Sequence, residues 1–377
     1  MTPVLTAPLA TLREHALAAS AAEIRAIRRG HAGMIAQAAR LLLLRRRPGL
    51  SAARRIDPYQ QLAIFSLCGF CLMAVGLAPQ TTGLAMATLF CLWGCAVLAL
   101  RGWFLFVALR DEAPGKPVPL SLPATLPVVT ILLPVYREAA ALPSLAAAMA
   151  RLDWPPALLD IKILLEADDA ETQGAARRLC PHFDCIMVPE DLPKTKPKAC
   201  NHGLWTARGE LIVIYDAEDR PEPDQIAKAV AALAAGGDRL ACVQARLGYY
   251  NRHRTWLTAL FAMEYSNLFD VILPGLAALG APVPLGGTSN FFRTRILQDV
   301  GGWDPYNVTE DADLGLRLAA AGFRTGIIDS TTWEEAVSTP VKWIRQRSRW
   351  IKGYIQTWWV HVRHRPRQVQ DLITLHL

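Results

Sequence analysis

The stretch 211-LIVIYDAED-219 runs five apolar residues straight into three carboxylates within four positions. A short apolar run rich in β-branched residues is the pattern of a strand buried on both faces. An Asp directly after such a strand, with another carboxylate two residues on, can hold a hard divalent cation. Mg²⁺ and Mn²⁺ prefer oxygen ligands and share them with substrate phosphates. Taken alone, an acidic turn that closes a strand is the commoner meaning of such a pattern. The flanking sequence decides between the two.

Upstream, Val128–Val135 is a β-branched run with a turn signal at Pro134, and Leu142–Leu152 is an Ala/Leu/Met helix. Ile161–Leu165 is a second apolar strand, ending in 166-EADD-169, and Lys198–Ala207 predicts a helix before the 211–215 strand. Strands alternating with helices of about ten residues predict an α/β fold with a mostly parallel central sheet wrapped on both faces. Ligands of such sheets bind beyond the carboxyl ends of the strands. Both acidic clusters fall there.

The chain has 377 residues, of which 52% are hydrophobic, and its mean hydropathy of +0.20 is high for a water-soluble enzyme. From Pro58 to Leu100 no residue carries a formal charge. Within that stretch Leu62–Ala78 and Leu84–Leu100 are apolar runs joined by 79-PQTTG-83, each close to the roughly 20 residues that cross a bilayer core. Two transmembrane helices in a tight hairpin are expected. Arg40, Arg45, Arg46, Arg47, Arg54 and Arg55 crowd the N-terminal side and the join carries no cation. The positive-inside rule then puts both termini in the cytoplasm. Those arginines and the basic C-terminal run also account for much of the +7 charge, which is therefore no argument for a nucleic-acid partner. Four of the eight cysteines lie in the spans and the rest are scattered, so no disulfide framework is expected.

The remaining boundaries follow from composition. Residues 1–57 read as a helical cytosolic preamble, taken as a solvated extension; 58–110 hold the two spans. The segment 111-DEAPGKPVPLSLPATLP-127 is a Pro-rich linker. Residues 128–335 form the cytosolic domain, and 336–377 form amphipathic interfacial helices.

Three further stretches bear on chemistry. In 309-TEDADLGLRL-318, Thr309 suits an N-cap and the following acids suit a first helical turn, where the helix dipole favours negative charge. An ionised Asp there can also act as a general base. The lysines of 194-KTKPKACN-201 could meet a phosphate or belong to a solvated loop. In 341-VKWIRQRSRWIKGYIQTWWV-360, helical spacing sets Gln346, Arg349, Trp350 and Gly353 on one face. No acid occurs between Glu335 and Asp371, so the same stretch also fits a helix lying on a membrane surface.

In order, 133-LPVYRE-138, 164-LLEADDAET-172, 198-KACN-201, 216-DAEDRPEPD-224, 286-GGTSNFFR-293, 301-GGWDPYNVTEDADL-314 and QRSRW resemble the motifs of family 2 inverting glycosyltransferases. The likeness is to their membrane-embedded, cellulose-synthase-like branch of bacterial β-glycan (exopolysaccharide) synthases, and it covers roughly Val128–Val362. It implies a GT-A-type nucleotide-sugar-binding domain behind the transmembrane hairpin, in the inner (cytoplasmic) membrane. It implies donor contacts from Tyr136, Glu138, Glu166, Asp168, Lys198 and Asp216, with Lys198 facing the diphosphate. Asp216 and Glu218 would hold Mg²⁺ or Mn²⁺, Glu218 falling at the second acidic place of the family's D-x-D. Gly287 and Thr288 would lie at the acceptor side. Gln346, Arg347, Arg349 and Trp350 would serve the diphosphate and acceptor, and Glu310 and Asp311 the catalysis, with Asp311 as base.

The implied reaction moves sugar from a nucleotide donor, UDP-glucose as first guess, to a growing β-linked glycan. Addition of one sugar to a lipid-linked acceptor, and a membrane scaffold that binds nucleotide without turnover, are the alternatives. Relatives of this type carry more spans after QRSRW, so a longer protein, self-association or a separate export partner is expected beyond 371-DLITLHL-377.

Overall fold

The computed structural model describes residues 6–54, 56–110, 113–116, 120–363 and 369–376. Arg55 and residues 111–112 and 117–119 of the expected linker lie outside them.

Three helices open the chain: α1 (Thr6–Ala18), α2 (Ala21–Gly30) and α3 (Ala32–Arg46). They are not a solvated extension. In α3, Ile35, Ala38, Ala39, Leu42 and Leu43 recur at three- and four-residue spacing and are buried. Ile35, Ala38 and Leu42 pack with Leu9, Leu12 and Trp205 of the main body. Asn201 Nδ2 donates to Ala39 O (3.0 Å), and Arg28 makes a two-bonded fork to Asp184 (2.8 and 2.9 Å).

The next helices, α4 (Pro58–Leu77) and α5 (Pro79–Ala108), have mean hydropathies of 1.7 and 2.1 and bury none of their most apolar windows, so both are candidate membrane spans. Asp57 caps α4 by accepting from Gln60 N (2.9 Å), while the Gln60 side chain accepts from Asp57 N (3.1 Å). The expected five-residue join is shorter than its composition suggested. The chain turns at Ala78, and 79–83 is already the first turn of α5. Pro79 starts it at a position where no N–H is needed, and Thr82 Oγ1 ties the turn to Ala74 O (2.9 Å).

The main body alternates: β1 (Val129–Val135), α6 (Leu142–Ala150), β2 (Leu159–Glu166), α7 (Ala170–Leu179), β3 (Asp184–Val188), α8 (Lys196–Leu204), β4 (Leu211–Ile214). It continues with β5 (Arg220–Pro221), α9 (Gln225–Ala235), β6 (Leu240–Tyr249), α10 (Trp256–Ser266), a π-helical turn at Asn267–Ile272, α11 (Leu273–Ala278), β7 (Asn290–Arg293) and α12 (Thr294–Asp299). It ends with α13 (Glu310–Ala320), β8 (Arg324–Glu334), α14 (Pro340–His361) and α15 (Val369–His376).

Among the described residues the strands form one eight-stranded sheet, ordered β3-β2-β1-β4-β7-β6-β8-β5. The first four run parallel, as the β/α alternation predicts. Past β4 the sheet is mixed, because β7 pairs antiparallel with both neighbours while β6 and β8 are parallel. The apolar residues of β1, β2 and β4 alternate between two cores. One core includes α6 and α9; the other includes α8, α12, α13 and Trp303. Phe104 and Val107, near the end of α5, are buried, and Phe104 packs against the π-helical turn and α11. The sheet-bearing body is thus packed directly against the second apolar helix.

Ile35 is fully buried, so Ile35→Ala should cost about 2–5 kcal/mol of stability. Urea unfolding of the detergent-purified chain checks this; a loss near zero would return α3 to the status of a solvated extension.

Candidate active site

Asp216 stands two residues past the end of β4, after Tyr215, and the strand delivers its carboxylate to the carboxyl edge of the sheet. Both Asp216 oxygens face one ammonium, Lys196 Nζ, at 2.7 and 2.9 Å; Lys196 also donates to Gly287 O at 2.6 Å. Lys196 is the first residue of α8 and carries further attraction from Asp311 and Glu310, which raise its pKa against its burial. The lysine expected at this place, Lys198, is turned away. Lys198 is 2% exposed, and its Nζ donates to Pro189 O (2.9 Å), Asp191 O (2.8 Å) and Asp191 Oδ1 (3.1 Å). Helical geometry separates residues two apart by more than half a turn, so only one of the two lysines reaches the cleft.

The acids after β4 divide in the same way. Asp219 is 1% exposed and closes the turn: its carboxylate accepts from Asp216 N (2.7 Å) and from Thr288 Oγ1 (2.5 Å). Thr288, expected at the acceptor side, is itself buried and therefore braces the turn from behind. Glu218 is exposed along the cleft. Desolvation by the cleft walls, then the negative charges of Asp216, Glu138 and Glu335, lift its pKa to about 7. Glu138 is likewise raised by burial and by Asp216.

Glu310 and Asp311 begin α13. Burial first, opposed by Lys196 and supported by Asp216, raises Asp311 to about 6; Glu310 is raised by burial and by Asp311. Thr309 occupies the N-cap position without a side-chain capping bond; its hydroxyl lies 3.2 Å from Thr357 Oγ1 instead. A Cβ on Gly287 would sit 3.8 Å from Asp311 Oδ2, so the Gly287 backbone lies close beside the Asp311 carboxylate.

At the far end, Tyr136 donates to Asp168 (3.3 Å), which also takes Lys194 Nζ (2.6 Å), and that ammonium stands over the Tyr136 ring at 5.4 Å. Glu166, expected beside them, is 5% exposed and lies 3.7 Å from Lys198 at its back. Alternation along β2 places it behind the open edge. Among the described residues, the two non-glycine residues with left-handed backbone are Arg137 (φ 58) and Ser289 (φ 59), next to Tyr136 and Thr288. Such strain clusters at functional sites.

The QRSRW face differs from the helical-wheel expectation. Trp350 packs on Phe261 and Tyr265, each with ring centroids 6.4 Å away. Arg347, not Arg349, shares that side. Its guanidinium forks to Glu264 and lies over Phe261 (4.7 Å) and Trp350 (4.9 Å), while Arg349 is exposed on the other side. The two arginines are not a pair. Gln346 is half-buried, and its Oε1 has no hydrogen-bond partner among the described residues.

Sequence reasoning missed Lys196, and its signal lay in the phase of 194-KTKPKACN-201 relative to the helix that starts there. Among the described residues no three or more His, Cys, Asp or Glu side chains form a closed metal cage. Asp216 and Glu218 nevertheless supply hard oxygens, and Lys196 already stands as a cation against both Asp216 oxygens. That donor set fits a divalent ion whose remaining ligands come from a substrate's phosphates.

Comparison with known proteins agrees with this architecture. Residues 211–376 match the family described as glycosyl transferase family group 2, and the fold is GT-A-like. The mannosyltransferase PcManGT from Pyrobaculum calidifontis, solved in complex with GDP-Man and Mn²⁺, superposes with a TM-score of 0.57 at 22% identity, covering 74% of this chain and 77% of that one. The probable glycosyltransferase YdaM of Bacillus subtilis (strain 168) is 27% identical over 240 residues, 60% of this chain and 55% of its own length. Beta-monoglucosyldiacylglycerol synthase of Trichormus variabilis is 25% identical over 264 residues, covering 67% and 56%. The chain thus spans about half the length of the curated relatives it matches.

Glu218 and Asp311 titrate above the ordinary carboxylate range, so the fold is favoured while they are protonated. That contribution is complete below about pH 4 and is lost as pH rises through about 6 and 7. Glu218→Gln should therefore raise the Tm of the EDTA-treated chain at pH 8 and leave it nearly unchanged at pH 4. An equal shift at both values would show that Glu218 is not under that electrostatic load.

Proposed function

We propose that this chain is a membrane-docked inverting glycosyltransferase that moves a hexosyl group from a nucleotide sugar, UDP-glucose first among the candidates, to the hydroxyl of a growing β-linked polysaccharide. The observation that carries the reading is the meeting of Lys196, Asp216, Gly287 and Asp311 at the carboxyl edge of the sheet. In this reading α4 and α5 span the cytoplasmic membrane, residues 128–335 are the cytosolic catalytic domain, and residues 336–377 lie along the interface. Nucleic acid has no part in it.

The residues divide the work. Tyr136, with Lys194 and Asp168 beside it, offers a ring and a carboxylate for the base and ribose. Lys196 neutralises the diphosphate that departs as the bond from the anomeric carbon breaks. A divalent ion held by Asp216 and Glu218 would add positive charge at the same oxygens. Asp311 takes the proton of the acceptor hydroxyl as that oxygen forms the new bond from the opposite face, so an α-linked donor yields a β-linkage. Its pKa near 6 leaves it ionised, and hence a base, at neutral pH. Trp350, on its aromatic bed, offers a stacking surface to the acceptor sugar.

Asp311→Asn should lower kcat by about 10²–10⁴-fold while binding of the donor nucleotide, followed by tryptophan fluorescence, stays within about twofold. Unimpaired transfer would remove Asp311 from the role of base. In the wild type, kcat/KM should rise with pH through about 6, measured with a panel of labelled nucleotide sugars and native membranes.

A second reading has support of its own. The likeness to beta-monoglucosyldiacylglycerol synthase covers 67% of the chain, which favours transfer of one sugar to a lipid. Product length separates the two: a ladder or high polymer supports the first, and a single glycolipid the second.

A further inference from the structure

One face of α14 grips the segment that leads into α13. A Cβ on Gly353 would fall 2.5–2.8 Å from Thr309 atoms, so the two backbones meet without a side chain between them. Gln356 Oε1 accepts from Val308 N (3.3 Å), and Thr357 Oγ1 accepts from Asn307 Nδ2 (2.9 Å) beside Thr309 Oγ1. His361 Nε2 lies 2.9 Å from Asp313 Oδ1, whose other oxygen accepts from Arg317 Nε (2.7 Å). Arg317 in turn donates to Val300 O and Gly302 O, so Asp313 is fixed from both sides. Residues 353, 356, 357 and 361 recur at helical spacing. The opposite stripe of the same helix, Val341, Ile344, Ile351 and Ile355, is exposed.

The far end of α14 is tied to the base of α4. Gln60 Nε2 donates to Trp359 O (3.0 Å), and Arg363 donates to Arg54 O (2.7 Å) and lies near Gly49 O and Gln60 Oε1. Asp304, at the start of the gripped segment, accepts from Ser51 Oγ (3.1 Å) and Ala52 N (2.6 Å). The chain just before α4, the end of α14 and the loop that enters α13 are therefore one hydrogen-bonded knot.

We infer that Thr357 and His361 are positioning residues for Asp311, through which the seat of α14 on the base of the first apolar helix sets where the base carboxylate stands. The inference rests on the proposed transferase reading. Neither side chain touches the cleft; both act on the two ends of the first turn of α13, at Thr309 and Asp313, with Asp311 midway between them. A displacement of a reacting group by about 1 Å can cost a hundredfold in rate.

The test uses the full chain in nanodiscs, with UDP-glucose and GDP-mannose as donors and Mn²⁺ present. Thr357→Val keeps the volume and deletes the hydroxyl, leaving Asn307 Nδ2 without its acceptor; Thr357→Ser restores it. His361→Leu and His361→Gln form the same pair at the other end. Thr357→Val and His361→Leu should each lower kcat by about tenfold or more, with donor KM within about twofold, and Thr357→Ser and His361→Gln should recover most of the rate. A wild-type kcat in both apolar variants would overturn the inference, as would equal losses in the apolar and polar variants. Should Thr357→Val not fold, the His361 pair carries the test alone. If the wild type transfers no sugar from either donor, the transferase reading fails first, and the variants are then compared by the protection of residues 307–313 in hydrogen exchange. Unchanged protection in both apolar variants overturns the inference by itself, and a selective loss there supports the positioning contact.

Discussion

Everything around the cleft depends on a shortage of positive charge. Asp216, Glu218, Glu138, Glu310 and Asp311 converge where Lys196 is the ammonium between them, and burial first, then their neighbours' negative charge, pushes Glu218, Glu138, Glu310 and Asp311 above their ordinary pKa. Such crowding destabilises a fold on its own terms. Its use is in what it invites. In the proposed reading, a nucleotide diphosphate arriving with a divalent cation would bring positive charge to the place where Lys196 now stands against Asp216.

The rigid parts of the molecule hold that arrangement from behind. Asp219 and Thr288 lock the turn after β4, and Asn201 bridges Ala39 O, Trp303 N and Trp303 O at the back of α8. Gly302, at φ +68, leaves room for that bridge, since a Cβ there would meet Asn201 Oδ1 at 2.2 Å. The N-terminal helices thereby become part of the wall that supports Lys196.

Much of this was legible in the chain. The apolar run 211–215 ending in Asp216 announces both a buried strand and an edge carboxylate, and the uncharged stretch 58–100 announces two long helices. Phase was harder to read. Lys196 and Lys198 have the same chemistry, and only the start of α8 at Lys196 decides which faces the cleft. Glu166 and Asp168 differ by whether the strand has ended. Arg347 and Arg349 exchange faces because α10 offers Glu264, a contact 83 residues away that no local pattern encodes. In α3 the spacing 35, 38, 39, 42, 43 was on view, but alanines in an Ala-rich stretch carry little periodic contrast, so burial there was hidden by composition.

The length of α5 has a consequence of scale. At 1.5 Å per residue its 30 residues extend about 45 Å, some 15 Å more than a hydrocarbon core of about 30 Å. Phe104 and Val107 anchor the surplus in the sheet-bearing body. With α4 and α5 in a bilayer, that surplus works as a fixed pedestal. In the proposed reading the height of the site above the headgroups is then fixed by α5, so an acceptor is selected by altitude as well as by shape.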